Sequence, residues 1–436
     1  MRFESFFRRV REAVLLALGV AFFSCGNTRV VHPSFPDGGL LKDAAPFSAE
    51  LLSKLNGMYL VADGGPLAGV VAVHAAPAAG TLSIFARSND AYAILRAGCL
   101  DGGERVVFEG AWRHPRTTEA GLVRLFVEDA AIAKALCTDT PLAAAWTNFT
   151  LSGATGAGNA LPGAPLSLAY DHALLDANDS FVVAAHHGAC RTIDDCGASE
   201  NSLESIELVE SFGASVVELD VRITKDGVPI LYHDENFTPR LSNGTYCHGP
   251  VSEFTLAGIR ALCTLTYGEK VPTLEDALGA ALNKTTLHGV WLDIKTPEAV
   301  GPAIKLAETY NHYGKKQQGR VFRAVIGLAE TEVLEAYIAA EKSPDSPCLV
   351  ELEPADVRRA KCQLWGPRWT RGPLQDEVAA LQSEGRGVVY WTIDEPTFIE
   401  LFLKMGKPNG ILSDRPGLVF QEFQVLGVLP AGSVKL

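Results

Sequence analysis

The stretch from Val183 to Asp234 concentrates the side chains of this chain that could do chemistry. Two histidines, His186 and His233, bracket a Glu-x-Asp pair, Glu218 and Asp220. Each of the four sits at the end of an apolar run that reads as a β-strand. Residues two apart on a strand share a face, so over 215–221 Val216, Glu218 and Asp220 point one way and Val217, Leu219 and Val221 the other. Two carboxylates side by side on an inner face repel and are costly to desolvate unless a cation lies between them. Oxygen-only ligands favour one hard divalent ion, Mg²⁺ or Ca²⁺.

The surrounding pattern supplies elements to hold these residues. Strand-like runs fall at 181–185, 215–221, 228–232, 289–294, 321–326, 348–352, 362–365, 388–393 and 410–413. Helical patterns fall at 201–212, 273–282, 297–310, 330–341, 373–384 and 396–405. Such alternation predicts parallel βα units, an α/β fold of the (β/α)8 TIM-barrel type, whose chemistry sits at the carboxyl ends of the strands. Nine runs exceed eight by one. The surplus is assigned to 228–232, separated from the strand before it only by the tight Lys225-Asp226-Gly227 turn. Within the first helix Asn201 reads as the N-cap, with Glu204 three residues on, and Gly213 as the stop. Leu203, Ile206, Val209 and Phe212 give its apolar stripe. The run from Gly289 to Lys295 puts Asp293 and Lys295 on one face.

The N-terminal half is different. Residues 51–169 read as short strands with Gly-, Pro- and Asp-bearing turns, a small antiparallel β domain of unknown role preceding the barrel. Residues 129–136 fit either a short helix or a strand. His74, His114, Trp112 and Trp146 are isolated there and read as packing or surface residues. The divisions expected are 1–25 as a signal, 26–50 as a tether, 51–169 as the β domain, 178–420 as the barrel and 421–436 as a tail. At 436 residues, two domains are the natural count, and 47% hydrophobic with 20% charged residues indicates a globular chain. A net charge of −13 argues against nucleic acid as partner and against simple electrostatic attachment to anionic lipid.

Arg2, Arg8, Arg9 and Arg11 precede an apolar run, Ala13 to Phe23, of signal-peptide length. It ends Ser24-Cys25-Gly26, similar to a bacterial lipoprotein signal with Cys25 lipidated, although Phe22 and Phe23 are bulkier than usual there. A plain cleaved signal and an unlipidated anchor are the other readings. Of nine cysteines, removing Cys25 leaves eight, which suggest the local pairs Cys99–Cys137, Cys190–Cys196, Cys247–Cys263 and Cys348–Cys362. Disulfides persist in exported proteins. The location expected is the bacterial cell envelope, with a membrane reached through the N-terminal lipid.

The order of motifs resembles the glycerophosphodiester phosphodiesterase family. That family carries His-Arg-Gly, Glu-Asn, Glu-x-Asp-Val, Thr-Lys-Asp-Gly and His-Asp. Here these positions are His186-His187-Gly188, Glu200-Asn201, Glu218-Leu219-Asp220-Val221, Thr224-Lys225-Asp226-Gly227 and His233-Asp234. Val271-Pro272-Thr273-Leu274-Glu275, Trp391-Thr392 and the segment from Gly410 to Pro416 extend the likeness, which spans about 181–418 and stops short of the β domain. It implies a metal-dependent phosphodiesterase that acts on a small phosphodiester. His186 and His233 become the acid–base pair, with their individual roles open. Glu218, Asp220 and Asp293 become the metal ligands, Asp293 standing where the family has Glu in Glu-x-Lys. Lys295 becomes a phosphate contact, and Glu200 and Trp391 line the substrate. His187 stands where the family has a phosphate-gripping Arg and is assigned to the phosphate as an imidazolium; a weaker grip there lowers phosphate affinity or leaves the role to Arg191 or Arg240. A lipid phosphodiesterase of the phospholipase or sphingomyelinase D kind is the alternative enzyme. A non-catalytic surface lipoprotein is the alternative of another class.

Overall fold

The computed structural model describes residues 32–63, 65–139, 149–176, 180–189, 196–318, 322–344 and 346–428. Cys25, Trp146, Cys190 and Arg191, and with them the signal segment, lie outside these residues. No helix among the described residues is long and apolar enough to cross a membrane.

The first unit is an antiparallel meander. β1 (Ala45–Pro46) lies on the edge of β5, and β2 (Gly57–Val61), β3 (Gly69–Ala76), β4 (Thr81–Ala86), β5 (Ala91–Leu100), β6 (Arg105–Arg113), β7 (Ala120–Val127), β8 (Thr150–Thr155) and β9 (Ala164–His172) pair in sequence. β9 returns to β2 and β5 also pairs β6, so the sheet closes on itself. Closure removes the unpaired edges that an open sheet would expose. Tyr59, Val73, Ile84, Leu95, Phe108, Leu125 and Leu168 fill the interior. Gly110 allows the close approach this needs, since a Cβ there would lie 2.0 Å from the Ile94 carbonyl oxygen. Residues 129–136 resolve as a helix, Ala130–Thr138, capped by the Asp129 carboxylate. The stretch read as a tether is partly anchored: Leu40 and Leu41 donate backbone N–H groups to Glu109 at 2.8 and 3.1 Å.

The second unit is the parallel barrel. Its strands are β10 (Val182–Ala185), β11 (Val216–Ile223), β17 (Gly289–Ile294), β18 (Arg323–Leu328), β19 (Cys348–Val350), β20 (Leu364–Trp365), β21 (Gly387–Tyr390) and β22 (Gly410–Ser413). β10 pairs both β11 and β22, closing the ring. The surplus run is β12 (Pro229–Leu231), an antiparallel hairpin partner of β11. Between it and β17 lies an excursion of two-residue strands, β13 (Asn236–Phe237), β14 (Ser242–Asn243), β15 (Gly249–Pro250) and β16 (Thr264–Leu265), held by the Cys247–Cys263 disulfide. Cys99–Cys137 and Cys348–Cys362 also form. Val182, Val216, Trp291, Val325, Leu349, Leu364, Val389 and Leu412 plug the barrel interior, while Val217, Leu219 and Val221 face the helices. The plug fills the barrel interior, and the carboxyl ends of the strands carry the polar side chains.

Two sequence expectations need correction. Asn201 does not cap the first helix; Ser202 does, accepting from the Ser205 N–H at 2.9 Å. Asn201 instead adopts a left-handed backbone, φ 59°, one step earlier. The chain also does not trail off after residue 420. A helix, Pro416–Leu426, buries Val419 and Phe423 against the barrel core, because Pro416 fixes its first turn and its apolar residues recur at helical spacing.

The two units share an interface. Ser83 donates to the Ser211 carbonyl at 2.6 Å, Gln421 donates to the Val70 carbonyl at 2.7 Å, and Phe420 packs on Phe85 and His74. Burial pushes the His74 imidazole down to about 4. As pH falls below the ordinary histidine value of 6.5, the unfolded chain takes this proton before the folded one does. The contribution to stability is complete above that value and is lost as pH falls toward about 4. Melting temperature should therefore drop over this window, and His74→Leu should make the drop shallower in calorimetry at matched ionic strength.

Candidate active site and metal centre

The site follows from strand register. β11 and β17 pair with Glu218 opposite Trp291 and Asp220 opposite Asp293, so Asp220 and Asp293 are lateral neighbours facing the barrel axis. β10 pairs Ala185 with Val217, which delivers His186, the next residue, beside Glu218. The β12 hairpin turns the chain back, with the Tyr232 N–H donating to the Asp220 carbonyl at 3.1 Å, and sets His233 at the same mouth. Arg222 donates through Nε and Nη2 to the His233 carbonyl at 3.0 and 2.8 Å.

Carboxylate oxygens of Glu218, Asp220 and Asp293 lie within 4.8 Å of one another. Glu218 and Asp220 are buried. Lys295 reaches Asp220 Oδ1 at 2.8 Å and also pairs with Asp293. Three carboxylates crowd the single ammonium of Lys295, so the cluster can accept further positive charge. Asp293 Oδ1 is buried and makes no hydrogen bond. This donor set fits a divalent ion in charge and in chemistry. Burial, together with Asp220 and Asp293, pushes the Glu218 carboxyl well above the usual carboxylate range. Burial also opposes charge on Asp220, but His187, Lys295 and His233 outweigh it and hold that group low. Burial would lower Lys295, yet Asp220, Asp293 and Glu218 hold its ammonium high.

The two imidazoles predicted to act are oriented alike. His186 Nδ1 lies 2.6 Å from Asp414 Oδ1, and His233 Nδ1 lies 2.8 Å from Asp234 Oδ1. A carboxylate only accepts, so each Nδ1 carries the hydrogen and each Nε2 keeps its lone pair. His186 Nε2 stands 4.0 Å from Glu218. Burial and then the His187 ring lower the His186 pKa, against the pull of Asp414. Asp234 is held down at about 2 by Arg240, which grips it with Nε at 3.0 Å and Nη2 at 2.6 Å.

The remaining sequence-derived residues divide. Glu200 lies at the mouth, 3.8 Å from Arg240 and 3.5 Å from His187. Trp391 closes one wall, its Nε1 donating to the Gly366 carbonyl at 2.7 Å and its ring under Arg368. Arg240 is present but engaged by Asp234. His187 departs from the phosphate-gripping role expected of it. Its ring is 1% exposed and lies against carboxylates, with Nδ1 3.2 Å from Asp220 and Nε2 3.8 Å from Glu218.

Sequence reasoning missed four participants. Asp414 orients His186; its signal was the acid directly after the closing strand. Asp394 accepts from the Asp414 N–H at 2.7 Å. Glu351, just past β19, carries a carboxyl raised far above its usual range by burial and by Asp293. Asn201 was read as a cap, but its Nδ2 donates to Asp220 Oδ2 at 2.7 Å and its Oδ1 accepts from the Asp220 N–H at 3.0 Å. Removing that reciprocal clamp leaves a buried carboxylate short of a donor. Asn201→Ala should cost about 1–3 kcal/mol in denaturant unfolding with chelator present.

The family model described as the glycerophosphoryl diester phosphodiesterase family matches residues 186–316. The chain is 32% identical over 259 residues to a glycerophosphodiester phosphodiesterase of Caldanaerobacter subterraneus, spanning 54% of this chain and 94% of that protein. It is 28% identical over 233 residues to "Probable glycerophosphodiester phosphodiesterase 2" of Mycobacterium tuberculosis, spanning 50% of this chain and 83% of that one. A crystal structure of the glycerophosphodiester phosphodiesterase from Agrobacterium tumefaciens aligns at 22% identity and a TM-score of 0.44, covering 55% of this chain and 99% of that one.

Proposed function

Because the chain belongs to the glycerophosphodiester phosphodiesterase family, we propose that it hydrolyses glycerophosphodiesters to an alcohol and a phosphomonoester, using a divalent cation and the His186/His233 pair. The observation that carries the reading is the pair of imidazoles, each tethered at Nδ1 by an aspartate and each with Nε2 free to exchange a proton beside the carboxylate cluster.

Cleavage of a phosphodiester makes one bond to phosphorus and breaks another. The attacking hydroxyl must lose a proton and the departing alcohol must gain one. An Nε2 lone pair can take the first, and a protonated Nε2 can give the second. The tethering aspartates hold each ring in the tautomer this needs and stabilise the imidazolium that forms. Glu218, Asp220 and Asp293 would hold the cation, whose chemistry there is neutralisation of the phosphate oxygens. Lys295, already at the mouth, adds a fixed positive charge. Such local charge is required because the chain as a whole carries −13 and repels an anionic substrate.

The disulfides Cys99–Cys137, Cys247–Cys263 and Cys348–Cys362 support an exported protein, and we place it in the bacterial cell envelope, tethered through Cys25.

Purified protein should release a phosphomonoester from glycerophosphocholine or a related glycerophosphodiester, and chelation should abolish turnover. Preference for sphingomyelin or a lysolipid over every glycerophosphodiester would replace this substrate class with the lipid phosphodiesterase alternative. His186→Ala or His233→Ala should lower kcat by roughly 10²–10⁴-fold with folding intact by circular dichroism. Near-normal turnover by either variant would remove that histidine from the mechanism. Asp414→Asn should lower kcat more than it changes KM, since it disturbs His186 rather than a substrate contact.

A further inference from the structure

We propose that His187 is a nitrogen ligand of the catalytic cation, and that the site therefore selects a transition ion such as Mn²⁺, Co²⁺ or Zn²⁺ over Mg²⁺ and Ca²⁺. This rests on the reading of the carboxylate cluster as a metal centre.

The backbone forces the ring inward. His187 has φ 53°, an uncommon conformation for a residue with a side chain, and its own N–H donates to Glu218 Oε2 at 3.0 Å. Gly188 continues the turn at φ 89°, where a Cβ would lie 2.3 Å from Ser205 Oγ. The imidazole ends 1% exposed, edge-on to His186 at 3.8 Å and stacked on His233 at 4.9 Å between ring centroids. It is thus wedged between the two proton-transfer histidines.

Its Nδ1 is buried and makes no hydrogen bond, although Asp220 Oδ2 is only 3.2 Å away. A buried nitrogen that faces the Asp220 and Glu200 carboxylates at 3.2 and 3.5 Å yet hydrogen-bonds neither is costly, and native structures ordinarily satisfy such a group. The geometry that fails as a hydrogen bond suits an edge of a coordination shell. Two donors each about 2.1 Å from one ion and meeting it at 90–110° lie roughly 3.0–3.4 Å apart. One donor atom each from His187, Asp220 and His233 falls within 4.8 Å of the others, as do donors of His186, His187 and Glu218. Both sets overlap the carboxylate cluster through Asp220 and Glu218. An imidazole among carboxylates turns an all-oxygen donor set into a mixed one. Mixed sets favour first-row transition ions, whose affinities rise from Mn²⁺ to Cu²⁺ and fall back at Zn²⁺, whereas oxygen alone suits Mg²⁺ and Ca²⁺. An arginine at this position could supply no lone pair.

The test is metal binding without substrate, so it is independent of turnover. Chelator-stripped full-length protein is titrated calorimetrically with Mn²⁺ and separately with Mg²⁺, alongside His187→Arg and His187→Asn. Asparagine tolerates the left-handed backbone, which guards against loss of the fold. The wild type should bind Mn²⁺ the more tightly. His187→Arg should weaken Mn²⁺ binding by roughly 10–100-fold, the scale on which metal sites respond to loss of support, while changing Mg²⁺ binding less. Pulsed electron paramagnetic resonance of the Mn²⁺-loaded wild type should show directly coordinated nitrogen, lost in His187→Arg. Equal Mn²⁺-to-Mg²⁺ ratios in wild type and variant would overturn the proposal, as would nitrogen coupling unchanged in His187→Arg. In either of those cases the hydrolase reading survives, whereas failure to bind any divalent cation defeats both.

Discussion

Asp220 and Asp293 are lateral neighbours in a parallel sheet, and carboxylate oxygens of the two lie within 4.8 Å of each other. Glu218 shares their face one pleat away. The interior below them is plugged by Trp291 and aliphatic side chains, so the charges cannot sink into water beneath. Everything at the mouth answers this concentration of negative charge. Lys295 leans across two of the acids, Asn201 clamps the third oxygen of the pair, and the backbone of His187 donates to Glu218. Charge taken out of water at this density is tolerated only where partners surround it. The polypeptide supplies part of that compensation, and the proposed divalent cation would supply the remainder.

The legible part of the molecule was the part governed by local periodicity. Alternation over 215–221 set Glu218 and Asp220 on the inner face, and the structure puts Val216 in the barrel plug and Val217 under the helices accordingly. The tight turn at Asp226-Gly227 marked the β12 hairpin as the strand outside the ring. Closure of the first unit was not legible, because it depends on β9 meeting β2 across more than a hundred residues, and no local pattern encodes such a pairing.

The misread residues share a cause. Asn201 and Ser202 are both good caps by type, and what separates them is that Asn201 has a carboxylate within reach across the barrel mouth. A side chain with two uses goes to the one whose loss is costlier. Asp414 was likewise visible as an acid after a strand, but its partner lies 228 positions earlier in the chain. His187 stood out as a departure from a motif. Its meaning came only with its neighbours, since an imidazole open to solvent and an imidazole enclosed by acids have the same letter in the sequence.

The salt link at the seam between the two barrels has a consequence for how this molecule can be taken apart. Asp90, on a turn of the first barrel, receives Arg116 at 2.5 Å and Arg415 at 3.1 Å. Arg415 is the residue immediately after Asp414, and it also donates to the Asp394 carbonyl at 3.2 Å. The backbone that aims His186 is thus moored to a carboxylate of the other barrel. Accessory modules are commonly treated as interchangeable cargo, but this one is tied directly to the strand end that carries Asp414 in the candidate site. A chimera with a foreign N-terminal unit would keep His186 and Asp414 but lose the mooring beside them.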